Sequence, residues 1–286
     1  MSPKEYESQR RLEDYDRIQN MRPLDDIFMR CLFRDNLPLA ETVLRTLTGI
    51  RDLKLVKEET QKDLKLLGGS RSLCLDVYGE DSRGRKYDLE VQKANKGAAP
   101  ERARYHSAVM DVEHLSPQED FVQLPETYVI LVTERDFFGE GRALYPIERM
   151  DAVTGRLFGD KEHILYANGQ YQGNDELGRL MHDFRCKEPE AMYLDEMSER
   201  AQYLKNDPEG VKEMSKMLED MRNDAMQFGI QWGREQGLEQ GLEQGIEQER
   251  LNGIRSLMKT TQWSAKQAMD ALQVPEKERA KLLSVL

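Results

Sequence analysis

The chain has 286 residues, a third of them charged, and a formal net charge of −11 at pH 7. That length allows one sizeable core plus a smaller unit, and no apolar run approaches the ~20 residues a membrane helix needs. The acidic balance argues against nucleic-acid binding by bulk charge, and the lead MSPKEYESQRRLEDYD lacks the apolar core of a secretory signal. Three cysteines (Cys31, Cys74, Cys186) stand far apart, with neither zinc-site spacing nor an even number for a disulfide framework. Each reads as a small buried hydrophobe in a reducing compartment, so a cytoplasmic protein without a membrane anchor is expected.

Residues 1–21 read as a polar lead. LDDIFMRCLF then sets Ile27, Phe28, Cys31 and Leu32 at helical spacing. Pro38 opens a further helix, LAETVLRTLTG, that ends at Gly49. IRDLKLVKEET alternates like a half-buried strand, and KDLKLLGGSR leads into CLDVYGEDSRGRKYDLEVQ at 74–92, two strands with Gly79 and Gly84 supplying the bend. GAAPERARYHSAVMDVEHL reads as a helix with Pro100 in its first turn. ETYVILVTE has the apolar run of a buried strand. ALYPIERMD and EHILYANGQYQG read as two more strands, and from Asp175 onward the pattern is helical. This order predicts an α/β domain over 22–185, with a central mixed β-sheet flanked by helices.

A helical extension over 186–232 and a Gly/Glu/Gln repeat over 233–249 follow. Leu238, Leu242 and Ile246 form a narrow apolar seam there, suited either to pairing with a second copy as a homodimer or to a marginal helical linker. Residues 250–286 read as a small helical unit with a capping box at Ser264 and Gln267. Its basic residues permit a helix-turn-helix contact with DNA. Trp232 and Trp263 read as packing anchors.

The hairpin carries the chemistry. If Leu75, Val77, Leu89 and Val91 go to the core together, strand alternation puts Asp76, Glu90 and Gln92 on the other face, with Asp88. Side-by-side carboxylates repel and need a cation or a proton between them. Oxygen ligands select hard ions such as Mg²⁺, which polarise a phosphoryl oxygen and activate water. Exposed charges on a two-sided hairpin would give the same pattern. Between Arg83 and Arg104 stand seven basic and three acidic residues, a local collar suited to a polyanion.

An Asp, a turn, then Glu-x-Lys is the signature of the PD-(D/E)XK nuclease superfamily. The sequence resembles its recombination-promoting nuclease and putative-transposase branch, in which Glu-x-Gln stands for Glu-x-Lys. LDDIFMRCLF resembles the branch's opening Asp-x-x-Phe helix through Asp25 and Phe28. RARYHS resembles its Arg-Ala-x-Tyr-Tyr helix through Arg102 and Tyr105, with His106 replacing the second Tyr. The likeness covers roughly residues 22–250.

It implies a restriction-endonuclease-like core and a Mg²⁺-dependent endonuclease acting on DNA. Asp76 and Glu90 would hold the metal, and Gln92 would stand in the lysine's place without its charge. Arg102 or Lys96 would return that charge. Asp25 would add a third carboxylate or cap its helix, and Arg102, Tyr105, Lys93 and Lys96 would contact DNA. The other reading is a nuclease fold with little or no activity, serving as a DNA-binding or assembly module. His106 and His114 read as structural histidines.

Overall fold

The computed structural model describes residues 3–64 and 73–286; within that range the side chains of 3–8, 95 and 96 are outside the description. The expected lead-in KDLKLLGGSR therefore lies partly outside the described residues. The chain divides into two compact units, residues 1–218 and 219–286.

In the first unit the expected polar lead is a helix, α1 (Pro3–Gln19). Its end is fixed by the rest of the unit: Ile18 is fully buried, and the buried Lys205 ammonium donates to the carbonyls of Gln19, Met21 and Lys187. Helices α2 (Asp26–Phe33) and α3 (Leu37–Thr48) follow, α3 ending at Gly49 in the left-handed region as the sequence predicts.

The strands are β1 (Leu55–Leu64), β2 (Leu73–Asp81), β3 (Lys86–Gln92), β4 (Thr127–Thr133), β5 (Leu144–Ile147) and β6 (Glu162–Asn168). They form one mixed sheet in the order β1-β2-β3-β4-β6-β5, with β3, β4 and β6 mutually parallel. Helix α4 (Pro100–His114) crosses from β3 to β4, as a parallel connection requires. Helices α5 (Glu176–Arg185) and α6 (Asp195–Asn206) complete the cover, with α2 and α3 packing on β1 and β2. A mixed sheet flanked by helices, as expected, is the restriction-endonuclease-like arrangement.

Both faces of the hairpin are covered. Leu75, Val77, Leu89 and Val91 are buried, but so are Tyr78, Asp88 and Glu90 on the opposite face. Alternation did not hold through β2: Leu75, expected beside Val77, joins the core cluster of Tyr78, Val129, Leu131 and α4's Ala103 and Met110. Nor did it reveal that α4 would close the second face. The bend also differs from expectation. Gly79 lies inside β2, paired with Tyr87 and Glu58. A Cβ there would sit 3.2 Å from Leu55 Cδ2 and 3.4 Å from Leu44 Cδ1, so glycine admits α3 onto the strand. The turn itself uses Gly84 at φ +80 and Asp81, whose Oδ1 accepts from the backbone N–H groups of Arg83 and Arg85.

Helix α7 (Pro208–Thr261) is continuous through the repeat at 233–249. In the second unit, Leu251 and Ile254 from its end pack with Ala268 and Met269 of α8 (Ala265–Ala271) and Leu282 of α9 (Glu276–Leu283). The Ser264–Gln267 capping box forms as expected. Two packing expectations fail: Trp232 and Trp263 are exposed, and so is Cys74. Trp232 stands on a stretch of α7 whose neighbours are also exposed, so no core reaches it.

Candidate active site

The β2–β3 ladder pairs Val77–Glu80 with Leu89–Lys86 and goes no further. Beyond it, carboxylates take over the backbone's partners. Glu90 Oε1 accepts the Asp76 N–H at 3.0 Å, and Asp76 Oδ2 accepts the Val91 N–H at 3.4 Å. Gln61 donates to Asp76 Oδ1 at 3.3 Å from the neighbouring strand. The two acidic residues thus sit between the strand ends, each bonded to the other's stretch of backbone.

Glu90 Oε2 receives two more donors, Arg102 Nη2 at 2.9 Å and Gln92 Nε2 at 3.2 Å. Gln92 can lie this way because the turn at Asn95–Ala98 presents Gly97, where a Cβ would fall 2.0 Å from Gln92 Oε1. One turn further along α4, the His106 Nδ1 is 2.7 Å from Asp88 Oδ2 and 3.9 Å from Glu90 Oε1. Glu90 and Asp88 are 0% exposed and His106 1%.

Burial and mutual repulsion dominate the electrostatics. Burial first, then the Glu90 charge, pushes Asp76 up to about 7. Burial and the Asp88 charge push Glu90 up to about 7 as well. Asp88 is raised well above the carboxylate range, mainly by burial, while burial lowers His106. Arg102 lowers Glu90 only as a smaller effect. The Oδ1 of Asp88 is buried without a hydrogen-bond partner among the described residues.

This donor set fits a hard divalent cation: clustered carboxylate oxygens whose charge is offset in part by Arg102 and otherwise by protons. The sequence assigns it to Asp76 and Glu90; among the described residues, Asp88, Glu90 and His106 form a group whose ligand atoms all lie within 4.8 Å of one another.

Residues 37–170 match the family model described as PD-(D/E)XK nuclease family transposase. Over that stretch the chain is similar to that family. The match spans α3 through β6 and so contains Asp76, Glu90, Gln92 and α4, whereas Asp25 and α2 precede it. No curated protein and no solved structure matches the chain.

Several expected site residues are placed differently. Asp25 stands at the N-cap of α2 but makes no capping bond with its side chain. Its carboxylate accepts the Arg22 N–H at 2.6 Å and pairs with Lys93. It is Asp26, next in sequence, that adds to the charge felt by Asp76. Lys93 is therefore engaged in an ion pair at the end of β3. The Lys96 side chain lies outside the described ones. Tyr105 is partly buried against the core beneath α4.

The basic collar is largely spent. Arg83 pairs with Asp52, Arg85 with Asp81, Lys86 with Glu80, Lys93 with Asp25 and Arg102 with Glu90. The first three stand at the turn end of the hairpin, away from Glu90. A count along the sequence cannot show that folding supplies each base with an acid.

Asp88 and His106 are what sequence reasoning missed at this site. A weak signal existed: Asp88 alternates onto the Glu90 face, and His106 stands four residues after Arg102. Nothing local indicated that α4 would lie over β3. His114, by contrast, is structural, bonded to Tyr78 Oη at 2.9 Å and to the Met110 carbonyl at 2.6 Å.

No helix among the described residues is long and apolar enough to cross a membrane.

Proposed function

We propose that the chain is a divalent-metal-dependent DNA endonuclease of the recombination-promoting, transposase-like branch. The observation that carries this reading is the meeting of Asp76 and Glu90 between the ends of β2 and β3, with the Arg102 guanidinium on Glu90. Asp76 and Glu90 hold the ion, with Mg²⁺ the cofactor that a carboxylate pair calls for. When bound, such an ion polarises a phosphoryl oxygen and lowers the proton affinity of a water.

Gln92 orients the attacking water through its amide. Arg102 carries the positive charge that a Glu-x-Lys lysine would bring, and steadies the charge that develops on the phosphoryl oxygens. It can serve both Glu90 and a phosphate because it is only partly buried, its side chain 37% exposed. Tyr105, and Lys93 once released from Asp25, would contact the DNA backbone.

The test is nicking of supercoiled plasmid by the full chain with Mg²⁺. Activity that vanishes in folded Asp76→Ala and Glu90→Gln variants supports the assignment. Equal activity in both variants would overturn it.

A second reading is a nuclease fold kept for DNA binding or assembly. One observation favours it: both Glu90 oxygens are already engaged, by the Asp76 N–H, Arg102 and Gln92. Multiple-turnover cleavage by the wild type would eliminate it.

A further inference from the structure

We propose that Asp88, Glu90 and His106 form a second cation position that takes a transition-metal divalent ion rather than Mg²⁺. The inference rests on the nuclease reading only in sharing Glu90.

The geometry is the first argument. The His106 Nδ1 stands 2.7 Å from Asp88 Oδ2 and 3.9 Å from Glu90 Oε1. Metal–ligand bonds of ~2.0–2.2 Å put neighbouring ligand atoms roughly 3–3.5 Å apart. The two observed separations bracket that range, and ligand atoms of all three residues lie within 4.8 Å of one another, so the group needs only to close in around an ion.

The second argument is what the group leaves unsatisfied. Asp88 Oδ1 is buried and without a partner among the described residues, on the same carboxylate whose Oδ2 meets His106. Buried polar atoms are seldom left so, and an ion is one of the few things that accounts for them. Charge agrees with this. Arg102 meets Glu90 at Oε2, on the other carboxylate oxygen from the one nearest His106, and acts on Asp88 only as the smallest of the influences on it. The Asp88 carboxylate is thus the buried charge that an ion beside His106 would offset.

The choice of ion follows from the nitrogen. Imidazole is a ligand for Mn²⁺, Co²⁺ and Zn²⁺ and a poor one for Mg²⁺, which prefers an all-oxygen shell with its waters retained. Asp76 with Glu90 is the oxygen half of the pocket, and Asp88 with His106 is the mixed half.

Binding of Co²⁺ to the full chain, measured by calorimetry in saturating Mg²⁺ and without DNA, tests this. A His163→Gln background removes the other imidazole that bonds two carboxylates, Glu148 and Glu126. One equivalent of Co²⁺ should bind despite the Mg²⁺. Asp88→Asn or His106→Phe should weaken it by about 10–100-fold, as loss of a ligand or its partner does, with Mg²⁺ affinity unchanged. Co²⁺ affinity unmoved by either change overturns the proposal, as does complete displacement by Mg²⁺. Should those variants fail to fold, pulsed EPR of the Mn²⁺-loaded His163→Gln chain decides: imidazole nitrogen coupling supports the site and its absence sinks it. Plasmid nicking in Mg²⁺ alone is scored separately, so failure here leaves the Asp76–Glu90 assignment standing, and the reverse.

Discussion

The Glu90 carboxylate accepts the backbone N–H of Asp76 at 3.0 Å, at the point where pairing between β2 and β3 has ended. An unpaired N–H inside a sheet is costly, and here the acidic side chain is what satisfies it. The N–H bond itself favours the charged form of Glu90; burial, with the Asp88 charge on Glu90 and the Glu90 charge on Asp76, outweighs it and raises both proton affinities.

Replacing the lysine by Gln92 makes Arg102 the nearest cation on Glu90. Arg102→Ala should lower the nicking rate by about 10²–10³, the usual cost of removing one charge-stabilising donor. Gln92→Lys should restore much of that loss in the double variant. Nicking rates of the four chains form the cycle, and strictly multiplicative effects would show that the two residues do not share a role.

Stability should depend on pH in a defined sense. Asp76 and Glu90 are raised from 3.8 and 4.5 to about 7 on folding. Between those values the folded chain binds more protons than the unfolded one, so stability is fully present at the acidic end and is lost as pH rises through about 7. In EDTA, the melting temperature should therefore fall from pH 5.5 to 8 relative to an Asp76→Asn, Glu90→Gln double variant. Mg²⁺ should flatten the fall, because the ion replaces the proton. Parallel curves for the two chains would refute the coupling.

Lys205 is 1% exposed, and its ammonium is held by three carbonyls rather than by a carboxylate. Lys205→Met keeps the length and leaves those carbonyls without their donor. The expected loss is about 3 kcal/mol in chemical denaturation, accompanied by faster amide exchange at the end of α1. A loss within experimental error would mean that water replaces the ammonium.

Two sets of glycines should respond in opposite directions. Gly79→Val adds bulk against Leu55 and Leu44 and should cost about 1–3 kcal/mol. Gly237, Gly241 and Gly245 have open space where a Cβ would go. Alanine at all three should strengthen that part of α7 by about 1 kcal/mol per site, seen as slower amide exchange. Unchanged exchange in the triple variant would contradict the helix described here.

Local pattern alone determined a good deal. The period of two placed Asp88 and Glu90 on one side of β3, where both meet α4, but it did not carry through β2, where Leu75 packs with Tyr78. Pro100, Gly49 and the Ser264–Gln267 box marked helix ends, because capping depends on neighbours within a few residues. The tertiary structure decided the rest: that α4 closes the acidic face, that His106 and Asp88 join the pocket, and that Asp25 and Lys93 satisfy each other at its rim. Those outcomes depend on contacts between residues far apart in the chain, and a linear pattern of charge and hydropathy carries no record of which acid will meet which base.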